Sequence, residues 1–395
     1  MTRLSTRISW LPAAAGLFGA AWGANQFTPL LLVYHRELGL GTGTLEALFG
    51  AYALGLIPGL LVGGGLSDAH GRRAVVVPAA ALSLAATVVL AAAGESVALL
   101  FAGRLLAGVT SGAMFGAGTA WLRELSAQDE SHGAHAARRA AVAMTAGFAL
   151  GPLVAGLLAQ WAPDPGTVPY LPHVALAVAV LALLRGAPET VVATSGAPVR
   201  SALPAHGRAR FRRVVAPSAP WVFAAPAIAF ALLPSVVGAD HAADGTALVA
   251  AITALCAFSG VLIQPLARRL DHRAGVAGLL VLAAGLTLAA VTAQSRLIWL
   301  LVPCAIILGC AYGLCLVAGL IEVQHMAGGG DLARLTAVFY AYTYVGFAAP
   351  YVLALGAHVA RYDLLLAGTA VLALATAALV GPGPGPAPGE GRSPA

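Results

Sequence analysis

A handful of side chains inside long apolar runs can carry charge or strong hydrogen bonds, and their spacing limits what they can do. Arg104 is the one basic residue in the middle of such a run. A cation at that depth is costly, so it either snorkels to the interface or faces the interior in a functional role, where a partner is expected. No acid lies equally deep in another run. The nearest carboxyls are Glu46, in the first turn of one run, and Glu322, at the end of another. Glu322 continues a helical face made by Cys304, Leu308, Ala311, Cys315 and Ala318, with His325 as an i,i+3 neighbour. Both acids are candidates for proton exchange, with a solvated helix-end charge as the plainer reading of Glu322.

Amides are expensive to bury without partners, so Asn25 and Gln26 should face other helices or a water-filled cavity. Tyr340, Tyr344 and Tyr351 fall at i, i+4 and i+11, close to one helical face. Such a stripe stacks on a flat substrate or packs between helices, and with Asn25 and Gln26 it supplies the candidate cavity wall. Elsewhere Gly147-x-x-x-Gly151-Pro152-x-x-Ala155-Gly156 combines small residues with a proline. Pro152 cannot donate to the carbonyl of Phe148, so a bend is expected, and the glycines allow close approach of a neighbouring helix. The third constellation is a short charged hairpin, Gly64 to Arg73 (GGLSDAHGRR), with Asp68, Gly71, Arg72 and Arg73 between two apolar runs.

These residues sit in a chain of 395 with 59% apolar and only 10% charged positions. A water-soluble globule would carry about a quarter charged residues, so the composition implies an all-α integral membrane protein. Roughly 20 apolar residues cross a hydrocarbon core of ~30 Å, and that window yields twelve spans. In the first half they are 9–33, 44–66, 74–94, 97–122, 139–161 and 169–186. In the second they are 217–238, 246–266, 274–293, 296–322, 333–357 and 361–380. Residues 1–186 form one six-helix bundle, 187–216 a cytoplasmic linker, 217–380 the second bundle and 381–395 a disordered Pro/Gly tail.

All 22 basic residues are arginine, and placing both termini in the cytoplasm leaves only Arg36, Arg296 and Arg361 outside, with Arg104 in the membrane. That asymmetry follows the positive-inside rule. Arg104-x-x-x-Gly108-x-x-x-Gly112 is matched by Ala305-x-x-x-Gly309-x-x-x-Gly313, and Gly151-Pro152 by Ala349-Pro350. Two pseudo-symmetric halves are therefore expected. The four cysteines lie in apolar runs without C-x-x-C spacing, so packing is their expected role. No cofactor or metal is expected, no nucleic acid is implied, and no Walker loop or nucleophile elbow appears. The partners expected are the lipid bilayer, a small-molecule substrate and protons, with no obligate protein partner.

Gly64, Leu66, Asp68, Gly71, Arg72 and Arg73 resemble the G-x-L-x-D-x-x-G-R-R signature of the major facilitator superfamily, MFS, between its second and third helices. Ala69 departs from it, standing where arginine is usual. Arg104 with Gly108 resembles the superfamily's fourth-helix R-x-x-x-G pattern. The Gly147 to Gly156 stretch resembles the g-x-x-x-G-P-x-x-G-G motif of its proton-coupled antiporters, departing at Ala155. The resemblance implies a gating hairpin that latches two halves on the cytoplasmic side, near the start of the eleventh helix. Asp331 is expected to cap that helix, leaving Asp68 to lean on Arg72 or Arg334. It also implies a proton-coupling role for Arg104 and efflux of a small lipophilic compound or metabolite across a bacterial inner (plasma) membrane. A sugar or polar-metabolite importer is the alternative within transport. A receptor or membrane-embedded enzyme would need a sensory domain or catalytic pair that the sequence lacks.

Overall fold

Glycine, proline and the scarcity of charge dictate the elements. The computed structural model describes residues 10–127, 133–191, 208–326 and 332–381, and every regular element among them is helical. Ten helical stretches are long and apolar enough to cross a membrane. One of them, Gly245–Ser295, runs to 51 residues and contains two long helices, Gly245–Leu262 and Ala274–Ser295, separated by a reversal at Asp271, whose φ is 47°. Side chains such as Leu54, Val142, Phe258 and Leu372 point outward, as a lipid-facing surface requires.

The run expected as one span over 9–33 is interrupted. Leu11–Asn25 and Leu30–Leu38 are separate helices, joined by tighter turns in which Thr28 N–H donates to Asn25 O and Leu30 N–H to Phe27 O. Pro29 has no N–H for the α-helical ladder, so the chain tightens around it. A second break replaces the single helix expected over 333–357. Leu332–Tyr344 and Ala349–Gly356 flank a 3-10 turn at Val345–Ala348, because Pro350 cannot extend the preceding ladder. The Phe211–Val237 stretch contains a π turn at Ile228–Leu232 between Pro226 and Pro234, which remove successive donors. It begins inside the segment 187–216 assigned to a linker, since helix is already formed at Arg208–Arg210.

Close helix crossings hold each set of helices together. A Cβ on Gly108 would lie 2.0 Å from Tyr52 O, and one on Gly112 2.3 Å from Leu56 O, so the Val97–Ala127 helix lies directly on the Thr42–His70 backbone. In the later part of the chain, Gly309 and Gly313 meet the carbonyls of Cys256 and Gly260 in the same way, at 2.4 and 2.0 Å. Helices up to residue 191 pack mainly with one another, as do those from 208. The broadest contact between the two sets joins Gly133–Trp161 to Gly245–Leu262.

Candidate functional site

Between the two sets lies a cavity, part of it open to solvent. The first set contributes Asn25, Phe49, Tyr52, Arg104, Thr145 and Phe148, and the second contributes Phe223, Phe230, Tyr312, Tyr344 and Phe347. The wall is aromatic, with rings from helices of both sets turned into the cavity. Phe223 stacks on Tyr344 at 4.5 Å and on Phe347 at 5.0 Å between centroids, with interplanar angles of 17° and 13°. Across the junction, Phe49 meets Phe347 edge-on at 5.2 Å and Phe230 at 6.1 Å.

Arg104 does not snorkel. It is 1% exposed and lines the cavity, with its Nε donating to Leu48 O (3.3 Å), Nη1 to Ala24 O (3.2 Å) and Nη2 to Phe49 O (3.2 Å). Its guanidinium carbon stands 4.5 Å from the Phe27 ring centre and 4.8 Å from that of Tyr52. Backbone carbonyls and ring faces take the place of the expected carboxylate partner. Dense helix crossing on the Gly108 side makes this geometry possible, because it brings the carbonyls of the neighbouring helix within side-chain reach.

Asn25 explains what becomes of the backbone group freed by Pro152. Its Nδ2 donates to Phe148 O at 3.3 Å, the carbonyl that a proline four residues on leaves without an α-helical partner. The glycines of the same stretch do pack closely: Gly147 and Gly151 face Phe18 O and Trp22 O of Leu11–Asn25, and Gly156 faces Ala250 of the other set. Pro152 lies inside one continuous helix, Gly133–Trp161.

Other sequence candidates fall away from the cavity wall. Gln26 is fully buried and donates from Nε2 to Thr87 Oγ1 at 3.4 Å, within a network that runs through His173 to Gly19 O. Tyr340 packs on Phe339 and Tyr344, whereas Tyr351 is 37% exposed, because the 3-10 turn at Val345–Ala348 breaks the single helical face assumed for the three tyrosines. Glu322 pairs with Arg210, Nε to Oε2 at 2.8 Å and Nη2 to Oε1 at 3.1 Å, far along the chain from the His325 neighbour considered for it. Glu46 is fully buried, and neither of its carboxylate oxygens has a hydrogen-bond partner among the described residues.

The stretch expected as a connector, Gly64 to Arg73, stays helical to His70 and breaks only at Gly71 before Arg72–Ala91, and its polar groups are tied to its own set of helices. Arg72 Nη1 bonds Asp68 and, at 2.8 Å, Ser67 Oγ, while its Nε and Nη2 grip Glu124 at 3.2 and 2.8 Å. Gly71, at φ 101°, turns the backbone so that the amides of Arg72 and Arg73 donate to Glu189 at 2.9 and 2.8 Å. Partial burial works to raise the Glu189 carboxyl, but the backbone N–H groups of Val191, Arg73, Arg72 and Thr190 outweigh it and hold the group below the usual carboxylate range. Arg73 caps Arg185 O at 2.7 Å. Glu124 and Glu189 were missed in the sequence because each looks like a helix-end acid; only the fold brings them to one arginine pair. Asp331 and the side chain of Arg334, the other contacts considered for Asp68, lie outside the described residues.

The model of the Major Facilitator Superfamily matches residues 13–350. The chain belongs to the Major Facilitator Superfamily. Solved structures agree on the fold. The nucleoside transporter NupG superposes with a TM-score of 0.73 at 15% identity, covering 94% of this chain and 99% of its own. A peptide transporter POT in complex with sulfate reaches 0.78 at 17% identity, with 94% of each chain covered. A POT family transporter in complex with 5-aminolevulinic acid reaches 0.77 at 10% identity, covering 95% of both chains. Among curated proteins there is no significant match. As a facilitator-superfamily member, the chain is a multi-pass membrane transporter and not an enzyme.

Proposed function

We propose that this transporter exports a small lipophilic compound or metabolite in exchange for protons, by alternating access between two six-helix halves. The observation that carries the reading is the aromatic cavity, whose wall is shared by the two sets of helices. Rocking one set against the other would expose that wall to each side in turn. Twelve spans follow if Leu11–Leu38 counts as one interrupted span and the 51-residue stretch as two, added to the other nine of the ten. The arginine-rich end is then cytoplasmic, with both termini there, in a bacterial plasma membrane.

In that orientation the outer end is closed. Hydrogen bonds between the two sets lie there: Arg36 Nη2 to Thr246 Oγ1 at 2.6 Å, Gln160 Nε2 to Ala243 O at 2.7 Å and Ala247 N–H to Gln160 Oε1 at 3.4 Å. The geometry suits an inward-facing state. For the proton, Glu46 is the preferred carrier, since burying a carboxylate without a partner costs several kcal/mol and a protonated acid avoids that cost. Glu322 already has Arg210 as its counter-charge. Arg104, one turn from Glu46 through the Leu48 and Phe49 carbonyls, would couple the proton site to the cavity wall.

The test is reconstitution in liposomes with an imposed pH gradient, screening lipophilic compounds for counterflow and accompanying proton movement. Gradient-driven transport that collapses on dissipating the gradient is expected. Transport indifferent to the gradient would sink proton exchange.

A further inference from the structure

The geometry points to an organic anion with a flat aromatic body, an aromatic carboxylate, as the class of compound the cavity takes. This inference rests on the proposed transport function and narrows its substrate. Arg104 is the one charged side chain on the cavity wall, and no carboxylate lines that wall among the described residues. Its five N–H donors are only partly used: Nε, Nη1 and Nη2 each make one bond, to Leu48 O, Ala24 O and Phe49 O. One donor therefore remains on each terminal nitrogen, available to an anionic acceptor. The rings of Phe27 and Tyr52 hold the guanidinium in place, so little rotamer freedom is lost on binding.

Asn25 stands beside this fork. Its amide uses one N–H on Phe148 O, leaving the second for an acceptor. Phe223, Tyr344 and Phe347, stacked on one another, line the same cavity and give it an aromatic surface suited to an aromatic body. A single positive charge set in an aromatic wall selects a molecule that joins an anionic group to an aromatic body. An organic cation would instead meet Arg104 as a like charge in a water-poor site, and a neutral ring would leave the fork's free donors without an acceptor.

The experiment measures equilibrium binding to the purified full-length chain in detergent at pH 7.5 with three matched probes. They are naphthalene-2-carboxylate, its uncharged carboxamide and the corresponding naphthylmethyl trimethylammonium cation. The carboxylate is expected to bind about tenfold or more tighter than the amide, with the cation weakest. In Arg104→Gln the carboxylate advantage should shrink to about twofold, and Arg104→Lys, which keeps the charge without the planar fork, should fall between. An amide or cation that matches the carboxylate on the unmodified protein overturns the inference, as does the absence of saturable carboxylate binding; neither outcome depends on a variant folding. No pH gradient is present, so the result separates from the transport test. Carboxylate selectivity with gradient-indifferent transport would remove proton exchange and leave the anion class standing. Gradient-driven export of neutral compounds without carboxylate preference would do the reverse.

Discussion

Asp68 and Arg72 are joined in one ion pair yet stand in unlike surroundings. The Asp68 side chain is 69% exposed, whereas that of Arg72 is 10% exposed and also holds Ser67 and Glu124. An exposed pair contributes about 0–1 kcal/mol, so Asp68→Asn should hardly change the thermal midpoint while lowering turnover, if the hairpin gates. Arg72→Gln leaves Glu124 without its bidentate partner and should cost about 2 kcal/mol. Paired thermal-unfolding and transport measurements check both. Equal destabilisation by the two changes would show that the hairpin is one structural unit with no separate gating contact. Arg104 was legible in the sequence as an isolated charge in an apolar run. Its partners were not, since main-chain carbonyls and ring faces leave no residue-type signature.

Helix crossings carry the next level of order. Gly108→Ala would place a methyl 2.0 Å from Tyr52 O, and backbone on both sides cannot yield as a flexible side chain would. Overpacking of this kind should cost about 3 kcal/mol or more and reduce the folded fraction recovered by size-exclusion chromatography. Gly43, whose added Cβ meets nothing within 4 Å, is the control: Gly43→Ala should be neutral or slightly stabilising. A tolerated Gly108→Ala would mean that the two helices can slide apart without loss. The consequences of the proline-containing elements were only half visible beforehand. That Pro152 frees the Phe148 carbonyl follows from its chemistry, but that Asn25 answers it requires two helices to cross. Tyr344 lines the cavity as the stripe implied, but Tyr351 leaves that face because periodicity presumes an unbroken helix and Val345–Ala348 interrupts it.

At the scale of the whole molecule, the Gln160 to Ala243 contact tests whether the outer seal must open. In a background lacking Cys256, Cys304, Cys310 and Cys315, the double variant Gln160→Cys, Ala243→Cys should be joined by a short thiol-cleavable bifunctional cross-linker, since the glutamine side chain bridges to Ala243 O at 2.7 Å. Turnover in liposomes should then fall at least tenfold and return on reduction, the signature of a closure that has to be released each cycle. Full turnover by the cross-linked protein would exclude movement between these helices.

The sequence by itself determined the membrane class, the all-helical character, the arginine asymmetry and the superfamily signature of the hairpin. Those properties depend on local composition and spacing, which hydrocarbon thickness and backbone hydrogen bonding read directly. Only the tertiary structure decided that Arg104 is buried against carbonyls, that Glu124 and Glu189 hold the hairpin, and that Phe49, Tyr52, Phe223, Phe230 and Phe347 share one wall. In an apolar span every face is hydrophobic, so the pattern does not distinguish a lipid-facing ring from a cavity-facing one. Glycine crossings and proline breaks set each helix's rotation and register, and rotation decides which rings meet.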